Sequence, residues 1–297
     1  MTEQELRAAG IRTVNSRELY PAQHLADDPG LPMLLVENTL GRSVVALQGA
    51  HVMAFQAARK HELLWVSPKT AFVKGTPIRG GIPLCLPWFG PSPDGTTMHG
   101  FARITEWTPA GAERLANGAT RLTLELAGGV ATSALWPHAF NFRLEIEVGT
   151  TLKMSLSAQN RGGDTAPLAF AFHTYFAVPK VYAAHVSGLE GVTYIDKVDN
   201  LARKQQVGVV TIDSTTDRIY LDVPQHQTIT ADTEHINIES DTRCAVVWNA
   251  WNNDKNIPDL GEGNYVGYLC VERGDVADYA VALQPGQSYQ AWMTISG

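Results

Sequence analysis

Apolar and polar residues alternate along much of the chain. Leu122, Leu124 and Leu126 are separated by polar positions, as are Phe142, Leu144, Ile146 and Val148, and then Leu152, Met154, Leu156 and Ala158. A period of two marks a strand with one buried face. Gly149-Thr150, between the last two runs, predicts a hairpin turn. Further alternating or apolar segments predict strands at 207–212, 228–231, 235–239, 245–248, 266–271 and 279–283. The stretch Gln284-Pro285-Gly286-Gln287 then turns the chain into a closing strand at 288–295. Shorter β-leaning pieces at 33–37, 43–47 and 51–55 precede them. Turn signals recur every ~8–12 residues, the spacing of an all-β sandwich or barrel.

Two regions depart from this rhythm. Thr2 to Ala9 predicts one short helix, with Thr2 as N-cap, Glu5 completing a capping box and Gly10 as the stop. It belongs to a helical or irregular extension of about 30 residues. Residues 67–97 are rich in Pro and Gly, and a long irregular stretch in a compact protein is usually functional or disordered. Phe72, Trp88 and Phe89 within it argue against disorder. No linker, low-complexity segment or repeat divides the chain, so residues 1–297 read as one β domain.

The stretch Leu168–Val178, LAFAFHTYFAV, predicts a buried central strand. His173 near its middle has a desolvation cost that a leucine would avoid. Its side chain is either a neutral core histidine bonded to backbone or a group placed there to move a proton.

Composition narrows the possibilities. Hydrophobic residues are 44% and charged residues 18% of 297, an ordinary soluble balance. A formal net charge of −7 argues against a general nucleic-acid binder. Three scattered cysteines, Cys85, Cys244 and Cys270, give neither a zinc spacing nor a disulfide framework. The polar amino terminus lacks the apolar core of a signal peptide, and no apolar run reaches a membrane span. These features predict a cytoplasmic protein with no membrane or nucleic-acid partner, no metal and no cofactor.

Four islands place charge beside aromatic or Gly-rich sequence. Arg79 precedes Gly80-Gly81 and suits bidentate recognition of phosphate or carboxylate, or a pairing with a loop carboxylate. His99 and Arg103 flank an apolar step, with Arg103 expected to open a strand; they suit an anion or a polyol, or a plain surface role. Glu272 ends an apolar run, either as a partly buried base or as a partner for adjacent Arg273. Asp217, entering a strand, is a weaker candidate. Trp88, Trp248 and Trp251 could stack on sugar rings or simply fill the core. Dinucleotide, P-loop, HExxH and nucleophile-elbow motifs are missing. One His and one Glu on strands, with two Arg in loops, suit acid–base work on a small anion.

The ordered segments GAHVMAFQ (49–56), LLWVSP (63–68), PIRGGIPLCLPWFGP (77–91), HGFAR (99–103), FAFHTYF (170–176), GLEGVTYID (188–196), TDRIY (216–220), VVWNAW (246–251) and CVERGDV (270–276) resemble the aldose 1-epimerase, or galactose mutarotase-like, superfamily. Within it they are most similar to the hexose-6-phosphate mutarotase branch. The resemblance covers most of the chain after about residue 34.

The resemblance implies a large twisted antiparallel β-sandwich with its active site on a concave face. It implies that His173 is the general acid on the ring oxygen and Glu272 the general base on the anomeric hydroxyl. Arg79 and Arg103 would hold the phosphate of a hexose 6-phosphate, and His99 and Asp217 would bond the sugar. Met98 stands where some members carry a ligand-contacting Gln. The protein would act as a monomer. A mutarotase of unphosphorylated aldoses and a noncatalytic carbohydrate-binding sandwich are the alternatives; a glycosidase, needing two carboxylates across the scissile bond, fits less well.

Overall fold

The alternating runs lie at the centre of a nine-stranded sheet. Phe140–Val148 pairs with Thr120–Ala127 on one side and Leu152–Asn160 on the other, and Leu152–Asn160 pairs with the closing strand Ser288–Ser296. Along Phe140–Val148 every second residue is buried and the polar residues between are half-buried, as the period of two requires. The computed structural model describes residues 1–24, 28–92 and 94–297. Thr108–Arg114 flanks this sheet at one end; Glu234–Ser240, His226–Ala231, Ala184–Ser187 and Val210–Thr211 complete it at the other.

An eight-stranded sheet faces it. Its order is Ala202–Gln205, Thr193–Asp196, Thr216–Leu221, Cys244–Asn249, Tyr268–Asp275, Phe170–Phe172 and Leu84–Cys85, and Tyr175–Ala177 also pairs with Tyr268–Asp275. All these pairings are antiparallel. Val247, Val271 and Phe172 from this sheet share one core with Leu144, Leu156 and Met293 from the other. Fully burying each such side chain is worth about 1.5–3 kcal/mol. The opposite face of the eight-stranded sheet carries the pocket. The chain is all-β, a large twisted antiparallel sandwich.

Several elements differ from expectation. The capping box of Thr2 and Glu5 forms on a helix Glu3–Ala8, but residues 11–15 form a strand that opens a four-stranded sheet rather than an irregular extension. The 207–212 segment contributes only Val210–Thr211 as strand. The segments at 266–271 and 279–283 begin as 3₁₀ turns, Asn264–Gly267 and Ala277–Tyr279. Leu168–Val178 is not one strand but three short pieces, interrupted at Ala169 and at His173-Thr174. At the second gap the Thr174 N–H donates to Phe172 O, closing a three-residue turn centred on His173. No helix among the described residues is long and apolar enough to cross a membrane.

Candidate active site

His173 and Glu272 are neighbours across two strands. Phe172 pairs with Arg273 and Tyr175 with Cys270, so the intervening His173 lies opposite Glu272. Alternation then sends His173, Glu272 and Val246 to one face, beside Tyr175, Cys270, Trp248 and Asp217 in the adjoining row. His173 Nδ1 is 3.3 Å from Glu272 Oε1. The contact is not aligned as a hydrogen bond, and among the described residues neither buried His173 Nδ1 nor buried Glu272 Oε2 has a partner. The imidazole lies parallel to the Tyr175 ring, 4.8 Å between centroids, with Trp248 and His99 edge-on to it.

The six candidates His173, Glu272, Arg79, His99, Arg103 and Asp217 line a single cavity of about 300 Å³. Phe89, Met98, Lys197, Val246, Trp248 and Ile257 complete its wall. Trp248 thus faces the cavity, whereas Trp88 and Trp251 pack against the core.

The irregular 67–97 stretch forms one side of this cavity. Its carbonyls at Gly81 and Pro83 take the N–H groups of Tyr175 and His173, which fixes the loop against the central strands. Arg79 donates from Nε and Nη2 to both oxygens of Asp259, each at 3.1 Å, and from Nη1 to the Tyr175 hydroxyl at 3.0 Å. The carboxylate pairing and the cavity position therefore coexist. Burial opposes the Arg79 charge, but Tyr175 and Asp259 outweigh it and raise its pKa.

Arg103 lies in a 3₁₀ turn, Ala102–Ile104, rather than opening a strand; the Ile104 N–H closes the turn on Phe101 O. Its Nη2 donates to Met98 O at 2.6 Å, while its buried Nε has no partner among the described residues. His99 is held in the left-handed region at φ +62, followed by Gly100 at φ +71. A Cβ on Gly100 would fall 1.9 Å from Leu86 O, so only glycine fits there. His99 Nδ1 accepts the Gly90 N–H at 3.2 Å, leaving the proton on Nε2. Burial and then Arg103 push the His99 pKa down to about 3, so it is a neutral donor.

Asp217 pairs with Lys197 at 2.7 Å. Burial raises the Asp217 pKa, against the pull of Lys197. Glu272 does not pair with Arg273, whose fully buried side chain leaves from the other face and donates to Gln225 O, Thr242 O and Gln227 Oε1.

The ordinary pKa values of His and Glu predict an imidazolium beside a carboxylate. The site reverses that tendency. Desolvation first, then His99, Arg79 and Arg103, hold the His173 pKa well below the usual value. Desolvation and then Asp217 hold that of Glu272 well above. Burial disfavours the charged form of each partner.

Sequence reasoning missed Lys197 and Asp259. Lys197 had a weak signal, sitting directly after the strand Thr193–Asp196, which neighbours the Asp217 strand. Asp259 had none, being one of several acidic residues in the 252–262 loop.

Comparison with known proteins places the chain in a family. The profile of the family described as aldose 1-epimerase matches residues 32–296. An Escherichia coli (strain K12) protein named "Putative glucose-6-phosphate 1-epimerase" is 35% identical over 257 residues, covering 82% of each chain. One of the same name from Cenchrus ciliaris is 32% identical over 265 residues, covering 85% of this chain and 80% of that one. The crystal structure titled as a "putative mutarotase" from Salmonella typhimurium superposes with a TM-score of 0.84 at 30% identity, covering 92% of each chain. The chain belongs to the aldose 1-epimerase family and is an epimerase.

Proposed function

We propose that this epimerase interconverts the α and β anomers of a hexose 6-phosphate, most directly D-glucose 6-phosphate, without a cofactor. The observation that carries the phosphate reading is that Arg79, Arg103 and Lys197 line the cavity that holds His173 and Glu272, and that among the described residues the buried Arg103 Nε has no acceptor. Leaving a charged donor unsatisfied is costly, and a phosphate oxygen satisfies it. Arg79, pinned by Asp259 and Tyr175, presents its remaining N–H groups from the same wall, and Lys197 adds a third cation. The relatives' printed names support the same substrate.

In this reading Glu272 removes the proton from the C1 hydroxyl while His173 protonates the ring oxygen, and the C1–O5 bond breaks. The open-chain aldehyde turns about C1–C2. The two groups then exchange roles and close the ring to the other anomer. His99 Nε2 and the Asp217 carboxylate bond sugar hydroxyls, and Trp248 offers an apolar face to the ring.

The pair needs one shared proton. On Glu272 it gives two neutral groups; on His173 it gives the reactive imidazolium and carboxylate, with no change in total protonation. Burial favours the first arrangement. A phosphate dianion bound by Arg79 and Arg103 cancels two of the charges that repel the imidazolium and shifts the proton toward His173. Phosphate thus contributes to turnover as well as to binding.

Magnetisation transfer between the anomeric protons of glucose 6-phosphate and of glucose tests the proposal. Enzyme-dependent exchange should be faster, at equal concentration, for the phosphate ester. A better rate with free glucose would overturn the phosphate assignment and leave an unphosphorylated-aldose mutarotase. Exchange of neither sugar would favour a binding module.

A further inference from the structure

Beside the acid–base pair lies a thiol that the chemistry does not use. Cys270 and Glu272 are two residues apart on Tyr268–Asp275 and leave the strand on one face. His173, Cys270 and Glu272 each offer one donor atom, all within 4.8 Å of one another, and all three residues are buried. Two further facts set this cluster apart from a packed cysteine: among the described residues, neither buried His173 Nδ1 nor buried Glu272 Oε2 has a hydrogen-bond partner.

We propose that His173, Cys270 and Glu272 form an inhibitory site for a thiophilic divalent cation of the Zn²⁺ or Cd²⁺ class. Tetrahedral coordination, with metal–nitrogen or metal–oxygen distances of about 2.0–2.2 Å and a metal–sulfur distance of about 2.3 Å, sets its donors about 3.5 Å apart. His173 Nδ1 and Glu272 Oε1 already stand 3.3 Å apart. The thiol need close by only about 1 Å to complete three ligands. His173 and Glu272 both line the cavity, which supplies the entry path and an open fourth position.

The charges balance. The metal displaces two protons, the thiol's and the one the His173–Glu272 pair shares, and both leave to water; the resulting thiolate and the Glu272 carboxylate carry −2, and the imidazole binds through a neutral lone pair. The sum with M²⁺ is zero, the balance that a buried site demands. A thiolate ligand also selects Zn²⁺ or Cd²⁺ over Mg²⁺ and Ca²⁺. The bound cation occupies the proposed base and acid together, so turnover stops until a chelator removes it.

The test titrates the full-length protein with Cd²⁺, following the thiolate-to-cadmium charge-transfer absorption, and separately measures inhibition of anomer exchange by Zn²⁺. The absorption readout needs no substrate, so it stands apart from the substrate assignment. The expected result is one Cd²⁺ per chain, with absorption kept in the Cys85→Ala/Cys244→Ala double variant and lost in Cys270→Ala. Losing an outer-shell partner alone weakens metal binding about 10–100-fold, so losing the direct ligand should weaken Zn²⁺ inhibition by at least about 100-fold, relative to each protein's own uninhibited rate. Persistence of the absorption in Cys270→Ala, its loss from the double variant, or equal Zn²⁺ sensitivity of wild type and Cys270→Ala would overturn the site. If Cys270→Ala does not fold, the double variant decides: it retains Cys270 as its only thiol.

Discussion

His173 and Glu272 face each other across adjacent antiparallel strands, with Nδ1 3.3 Å from Oε1. The acid and the base of the proposed reaction are therefore positioned by backbone hydrogen bonds: Glu272 by its place in the strand Tyr268–Asp275, and His173, in the turn between two short strands paired with it, by its N–H to Pro83 O. His173→Ala and Glu272→Gln should each lower kcat by about 10²–10⁴-fold. Because the two act as a unit, the double variant should lose much less than the product of the single losses. Steady-state rates of anomer exchange for the three variants check this; multiplicative losses would separate the two residues functionally.

The proton shared by the pair sets the pH dependence. Burial holds the His173 pKa low and the Glu272 pKa high, so each limb of the profile belongs to the pair rather than to one residue. Gain of a second proton on the acid side and loss of the shared one on the alkaline side should both stop turnover, giving a bell in kcat, the parameter that reports the substrate-bound enzyme. With Arg79 and Arg103 screened by phosphate, the alkaline limb should lie at higher pH for glucose 6-phosphate than for glucose. A flat profile from pH 5 to 9, with chemistry rate-limiting, would remove the assignment.

Arg103 and Arg79 are not equivalent anchors. Arg79 is tied to Asp259 and Tyr175, whereas the buried Nε of Arg103 has no partner among the described residues. Arg103→Ala should raise KM for the sugar phosphate by about 10–100-fold, the worth of a hydrogen bond to a charged group, and leave KM for the free sugar nearly unchanged. Equal effects on both substrates in parallel saturation curves would place the phosphate elsewhere.

Much of the sandwich was legible because its signal is local. The runs Phe142–Val148 and Leu152–Ala158 declare their faces by alternation, and Thr2 with Glu5 declares a helix start. The break at His173 was hidden because long-range partners help to set it: Pro83 O and Gly81 O, about 90 residues earlier, take the N–H groups of His173 and Tyr175. The site residues could be named through ordered motifs, yet their protonation could not. It depends on how completely three-dimensional burial removes water from His173 and Glu272. Asp259 was invisible for a similar reason, since only the folded chain brings the 252–262 loop to Arg79.

Gly100 links His99 to Arg103 through a backbone that no other residue fits. Gly100→Ala would carry a left-handed penalty of about 1–2 kcal/mol, before counting a Cβ placed 1.9 Å from Leu86 O. The variant should therefore be destabilised by more than about 2 kcal/mol in urea unfolding. Any folded fraction should bind sugar phosphate more weakly, because relief of the clash moves His99 and Arg103 together. A variant as stable and as active as wild type would show that this turn adapts freely.

His51 gives the fold a pH sensitivity separate from catalysis. It is fully buried with Nε2 2.7 Å from Gly80 O, and burial pushes its pKa down to about 4. The unfolded imidazole titrates near ~6.5, so between these values the unfolded chain binds the proton more strongly than the folded one. Stability from this group is complete above pH 6.5 and is lost as the pH falls toward 4. Between pH 7 and pH 5 the loss is about 2 kcal/mol. A His51→Gln variant retains an N–H for Gly80 O but cannot titrate. Its unfolding free energy should fall by about 2 kcal/mol less than that of wild type over the same interval, because contributions common to both proteins, including His99, cancel in the comparison. Urea titrations of both proteins at pH 7 and pH 5 provide the four numbers. Equal losses would mean that folded His51 accepts a proton at its ordinary pKa.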